Sequence, residues 1–166
     1  MKVNIALLTV TDTRTIDNDK SGGILVNKFK EANHNLIERK ICKDNKDDIV
    51  VILREWLKDE KVDVIITTGG TGLTGRDITP EALNEVAEKH IPGFGEIFRN
   101  ISIKTVGTSS IQSRASAVLA NGKYIFALPG SSGGVTDAWD KILIKQLDIN
   151  HKPCNFVELF PRLKEK

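Results

Sequence analysis

The chain has 166 residues, 40% of them hydrophobic and 28% charged, with 24 basic side chains against 22 acidic ones. Those values exclude disorder, which needs low hydrophobicity together with high net charge, and a membrane helix, which needs an apolar run of roughly 20 residues. A formal charge of +2 also speaks against a nucleic-acid partner, because dedicated nucleic-acid binders carry a strong basic excess.

In chain order, Val3 to Val10 is an apolar, β-branched run that predicts a buried strand, and because MKVNIALLTV passes straight into it without a small-residue cleavage site, no signal peptide is expected. A polar stretch from Thr11 to Lys20 leads into a helix with Ser21 as its expected N-cap and Leu25, Phe29 and Ala32 along one face. Leu36 to Cys42 predicts a second strand. Asp47 to Glu60 carries Ile49, Ile52, Leu53, Trp56 and Leu57 at helical spacing. Val62 to Thr68 predicts a third strand, apolar on both faces, as parallel strands under helices are. The next helix is expected to start with Thr79 as N-cap, Pro80 at the first helical position and Glu81 in the first turn. Beyond the Pro92-Gly93 break a further helix is expected around Gly95 to Ile103. Ala115 to Ala120 and Lys123 to Leu128, joined by Asn121-Gly122, predict a hairpin. A last helix carries Val135, Ala138, Trp139, Ile142, Leu143 and Gln146 on one face.

Strands alternating with helices imply an α/β sandwich of three layers with a mostly parallel central sheet. Residues 1–166 read as one domain, without repeats or linkers. Cys42 and Cys154 lack C-x-x-C spacing and have no histidine at ligand spacing. They are expected to be free thiols of a cytoplasmic protein.

Ligands of open parallel sheets sit at the carboxyl ends of the strands. Four loops are expected there: Thr9 to Arg14, Lys43 to Asn45, Gly69 to Asp77, and Leu128 to Gly134. Two are rich in Gly and hydroxyl residues, which suits a nest of backbone N–H groups around a phosphate; a plain tight turn is the alternative for each. Gly70, Gly72 and Gly75 formally satisfy G-x-G-x-x-G, yet the helix begins only at Thr79-Pro80 and no acidic residue ends the next strand. That disfavours a dinucleotide oxidoreductase. A P-loop is absent, because no Gly-Lys-Ser/Thr follows the glycines. Asp44 and Asp77 stand on the same edge. Either carboxylate could be a solvated turn residue, but beside phosphate loops the pair makes chemical sense with a bridging Mg²⁺.

The run TTGGTGLTGRDITPEA (Thr67 to Ala82) resembles the signature of the MoaB/MogA family of molybdenum cofactor biosynthesis proteins, whose fold also forms the G domain of gephyrin. The likeness continues through PGFGEIFRNIS (Pro92 to Ser102), QSRA (Gln112 to Ala115), FALPGS (Phe126 to Ser131) and the MoaB-type tail LDINHKPCNF (Leu147 to Phe156). The resemblance implies a cytoplasmic molybdopterin-binding α/β protein that assembles as trimers or hexamers and works among other proteins of its pathway. In active members, Mg²⁺ and ATP are used to adenylylate the molybdopterin phosphate, with release of pyrophosphate; a non-catalytic molybdopterin carrier is the other implied role. The family's two functional aspartates match Asp44 and Asp77, which would also place Mg²⁺. Its phosphate loop matches Gly69, Gly70, Thr71 and Gly72. Further contacts match Ser113, Pro129, Gly130 and Ser131, and Thr11 and Asp12 match more loosely. Many active members have Asn-Pro or Gln-Pro where this chain has Ser131-Ser132, whereas Arg76-Asp77-Ile78-Thr79 keeps the active form. Arg14, Lys43, Arg76 and Arg114 are the cations near these loops in the sequence.

Overall fold

A computed structural model describes residues 1–165. In chain order it comprises β1 (Asn4–Val10), α1 (Lys20–Glu31), β2 (Asn35–Cys42), α2 (Lys46–Lys58), β3 (Val64–Thr68), α3 (Thr79–Val86), β4 (Lys89–His90), α4 (Pro92–Val106), β5 (Ser116–Ala120), β6 (Lys123–Leu128), α5 (Ser132–Ala138) and α6 (Ile144–Gln146). A 3-10 helix follows α4 over Gly107–Gln112, and another closes the described chain over Val157–Arg162.

The strands form one six-stranded sheet in the order β2-β1-β3-β6-β5-β4. β2, β1, β3 and β6 run parallel, and β5 is antiparallel to both of its neighbours. Successive residues alternate between two cores, as side chains on a pleated strand must. Ile5, Leu7, Val64 and Ile66 face one side, where Leu25 and Phe29 of α1, Phe94 and Phe98 of α4, and Val135 of α5 cover them. Ala6, Leu8 and Ile65 face the other side, under Ile49, Leu53 and Trp56 of α2 and Leu83 of α3. The result is the three-layer α/β sandwich expected. Each such buried side chain contributes about 1.5–3 kcal/mol, so both layers are firmly held against the sheet. No helix among the described residues is long and apolar enough to cross a membrane.

Several local expectations are corrected. Asp19, not Ser21, caps α1: its carboxylate accepts from the Gly22 N–H at 3.0 Å. Ser21 donates to Asp19 at 3.2 Å and is buried inside the first turn. Thr79 is not a side-chain cap either. Its hydroxyl donates at 2.8 Å to the Gly69 carbonyl, a tertiary partner that outcompetes the local one. α4 runs longer than its apolar pattern and stops at Gly107, whose φ of +59° a side chain would disfavour. The last helix is interrupted by a π-turn over Trp139–Leu143, which turns Trp139, Ile142 and Leu143 all inward. β4 is only two residues long, too short to leave a period in the sequence. The hairpin turn is as expected, with Asn121 and Gly122 both at positive φ.

Candidate active site

The chain leaves β1 toward β2 on one side and later toward β3 on the other, so a crevice opens at this reversal of strand order. Two cavities occupy the edge beside it. The larger, of about 920 Å³, includes Thr71, Gly72, Asp77 and Ser113, together with the end of α4 and the start of α5. The smaller, of about 440 Å³, includes Thr9, Thr11, Arg14 and Asp44. They share Gly70, Gly130 and Ser131, which form the seam between them.

The seam is rigid for identifiable reasons. The Gly69 N–H donates to the Leu128 carbonyl at 3.0 Å, and the Thr68 hydroxyl donates to the Pro129 carbonyl at 2.8 Å. The loops after β3 and β6 are thereby tied together directly above their paired strands. Gly69 and Gly70 have φ of +101° and +67°. A Cβ on Gly69 would strike the Val10 carbonyl oxygen, and one on Gly70 the Thr79 hydroxyl. A Cβ on Gly72 would lie 2.7 Å from Asp77 Oδ2. These glycines are therefore required by the protein's own packing. The tight-turn reading thus holds on the protein's own contacts, and the Gly69 N–H is spent on the Leu128 carbonyl.

Each expected aspartate lies beside a glycine of this loop, one in each cavity. Asp44 Oδ1 is 3.3 Å from where a Gly70 Cβ would stand. Asn45 takes the α2 cap, accepting from the Asp48 N–H at 3.1 Å, which leaves Asp44 outside the cap. The Asp44 carboxylate has no ion-pair partner among the described residues, and the Asp12 backbone N–H is the one protein group that favours its charge by hydrogen bonding. Burial raises its pKa above the ordinary carboxylate value, and the Asp12 and Asp77 charges raise it further against the pull of Arg76. Asp77 is different. Partial burial works against its charge but is outweighed by hydrogen bonds, with Thr74 N at 2.9 Å and Thr74 Oγ1 at 2.7 Å as donors, so its pKa is lowered. Part of its role is therefore to fold its own turn.

Asp12 lines neither cavity. Its carboxylate accepts from Arg76 Nε at 2.9 Å and from the Asp44 N–H at 3.2 Å, and the Arg76 bond chiefly lowers its pKa. Arg76 is thus spent on Asp12 rather than directed at a ligand. Arg114 is spent too: Nε donates to the Gly72 carbonyl at 2.6 Å, one terminal nitrogen to the Asp77 carbonyl at 2.9 Å, and Glu81 pairs with the guanidinium. Of the four cations noted in the sequence, Arg14 alone is among the residues lining these two cavities. The residues missed by sequence reasoning come mainly from the end of α4 and the turn after it: Ser102, Thr105, Ser109 and Ser110. Their signal was the hydroxyl-rich run from Thr108 to Ser110, which no helical or strand period explains.

The donor set can be tested against Mg²⁺. Among the described residues no group of three or more His, Cys, Asp or Glu could cage a metal. A carboxylate without a cationic partner, beside the charges of Asp12 and Asp77, does fit an ion that takes one or two protein oxygens and completes its shell with phosphate and water.

This arrangement has a family. Residues 6–149 match the model described as a probable molybdopterin binding domain. The chain belongs to the MoaB/MogA family of molybdenum cofactor biosynthesis proteins. It is 42% identical over 161 residues to molybdenum cofactor biosynthesis protein B of Escherichia coli K12, covering 97% of this chain and 93% of that one. Among solved structures it is similar to a molybdenum cofactor biosynthesis protein B, with a TM-score of 0.89 and 37% identity over 100% of this chain and 98% of the other. It is also similar to the tungsten cofactor synthesizing protein MoaB of Pyrococcus furiosus, with a TM-score of 0.77 and 32% identity over 86% and 91% of the two chains. MoaB/MogA membership thus rests on the whole fold and on the loops that build both cavities.

Proposed function

We propose that this chain is a molybdopterin adenylyltransferase: it joins the AMP moiety of ATP to the terminal phosphate of molybdopterin and releases pyrophosphate. The observation that carries the reading is the pair of cavities meeting at Gly70, Gly130 and Ser131, each with one carboxylate at its inner end. A transfer between two phosphorylated molecules needs two compartments that share a wall. The larger cavity takes the pterin and the smaller takes the nucleotide, so both phosphates converge on the seam. There an oxygen of the pterin phosphate forms a bond to the α-phosphorus while the bond to the β-phosphate bridging oxygen breaks.

Holding two anions in line is most of the catalytic task, and the protein's part is positioning. Backbone N–H groups of Gly70 and Thr71, which no acceptor takes up among the described residues, hold phosphate oxygens. Asp44, and Asp77 across the seam, would hold Mg²⁺, which supplies charge neutralisation between the phosphates when bound. Arg14 adds a cation on the nucleotide side. Assembly as a trimer or hexamer is part of the same proposal, with light scattering as its check.

One observation favours a second reading, that of a molybdopterin carrier: the larger cavity has no Lys or Arg among its lining residues, and Arg76 is committed to Asp12. A single experiment separates the two. Purified protein is incubated with molybdopterin, ATP and Mg²⁺, and the products are resolved by chromatography. Adenylylated molybdopterin and pyrophosphate, lost in Asp44→Asn and Asp77→Asn, establish the transferase. Binding of the pterin with no product establishes the carrier.

A further inference from the structure

The larger cavity is lined by two carboxylates, Asp77 beside the seam and Asp137 in the second turn of α5. Asp77 is occupied by its own turn. Asp137 is not. One of its oxygens, Oδ1, pairs with Lys141 at 2.7 Å, one helical turn on. The other, Oδ2, lies 3.4 Å from the Thr105 hydroxyl, which has a single proton and a nearer acceptor, the Ser102 carbonyl at 3.1 Å. The lone pairs of Oδ2 are therefore unspent, and the carboxylate is three-quarters or more shielded, with side-chain exposure of 18%.

The remaining polar lining of this cavity consists largely of hydroxyls, such as Ser102, Ser109, Ser110 and Ser132, which adapt to donors and acceptors alike. A carboxylate accepts only. A pterin presents two adjacent donors, N3–H and the 2-amino group, on the pyrimidine edge far from its phosphate. Ser131 at the seam and Asp137 are six residues apart along one helical path, about 9 Å of rise. That spacing is comparable with the length of a fused pterin carrying a phosphomethyl arm. We infer that Asp137 reads the donor edge of the pterin and sets the cavity's preference for a 2-amino over a 2-oxo pteridine. The inference rests on the larger cavity being the pterin compartment.

The test uses binding rather than turnover. Neopterin monophosphate and its 2-oxo (lumazine) counterpart differ in the C2 substituent and the accompanying N1 proton, and both fluoresce. Wild-type protein is expected to bind the pterin on the order of tenfold more tightly or better, because a site that accepts a hydrogen bond rejects a ligand offering a lone pair there. Asp137→Asn offers one acceptor and one donor, which match lumazine N3–H and O2, so the preference should collapse or reverse. Lys141→Gln removes the ion-pair partner and keeps the carboxylate, and should retain the wild-type preference. An unchanged preference in Asp137→Asn overturns the assignment while leaving the pterin compartment standing. Failure of wild-type protein to bind either compound overturns both.

Discussion

Arg114 and Glu81 stand 33 positions apart in sequence and meet behind the glycine loop, where the ion pair aims the guanidinium at the carbonyls of Gly72 and Asp77. The Arg114 backbone also donates to the Thr71 carbonyl at 2.8 Å. One residue thus fixes three points of the loop that carries Asp77. Arg114→Lys cannot reproduce that fork. Both partners are part-exposed, so the ion pair itself is worth little, about 1 kcal/mol or less. The expected result is a melting temperature within a few degrees of wild type and a loss of roughly tenfold or more in ligand affinity or turnover. A fully active Arg114→Lys would show that the loop holds its shape without the clamp.

Gly70→Ala should fail more severely. The residue sits at a φ of +67°, and an added Cβ meets the Thr79 hydroxyl, whose bond to the Gly69 carbonyl holds the turn. Backbone strain and the displaced hydrogen bond together should cost about 2 kcal/mol or more. Urea unfolding measures this directly. Gly75→Ala is the natural control, since nothing lies within 4 Å of a Cβ there.

Asp19 supplies a pH dependence. Its burial disfavours the charge, yet bonds from Thr9 at 2.6 Å, the Gly22 N–H and Arg39 outweigh that and lower its pKa. A carboxyl that titrates lower when folded adds stability that is complete above the unfolded value of about 3.9, and loses it as pH falls through the folded value. Wild-type protein should therefore weaken steeply below about pH 4. Asp19→Asn should be less stable at neutral pH by about 3 kcal/mol, because Arg39 is left partly buried without its counter-charge. Its stability should also change less across the acid range. Parallel urea midpoints for the two proteins at each pH would exclude Asp19 as the acid-labile group.

The two thiols should behave differently. Burial, with Asp48 and Asp44 adding to it, pushes the Cys42 thiol up to about 12, while Cys154 is exposed. Iodoacetamide at pH 8 should give a single adduct, located at Cys154 by mass spectrometry, and a second only in denaturant. Rapid double labelling of the native protein would show that half-burial does not hold the Cys42 thiol protonated.

The layers and the ligand edge were legible because they rest on periodicity and punctuation. The i, i+3, i+4 pattern from Ile49 to Leu57 and the Asn121-Gly122 turn encode local geometry, and local geometry is what a linear pattern carries. Asp77 was legible through its motif. What escaped were choices between partners. Thr79 reads as a cap until the Gly69 carbonyl is brought beside it. Arg114 reads as a surface charge near the loops until Glu81 and the carbonyls of Gly72 and Asp77 are brought around it. Asp137 sits in a run that reads only as one face of a helix, and its place in the cavity depends on where the end of α4 comes to rest.

The site draws on the segments at the ends of β1, β2, β3 and β6 and on the end of α4, with Thr9 its first contributor in sequence and Asp137 its last. No fragment containing only two or three of those strands holds both cavities. Occupancy by a ligand is therefore linked to completion of the whole central sheet, and bound substrate should raise the cooperative unfolding temperature rather than quieten one loop. Amides deep in β1 and β3, far from any ligand atom, should then exchange with solvent more slowly by the same factor as those at the seam.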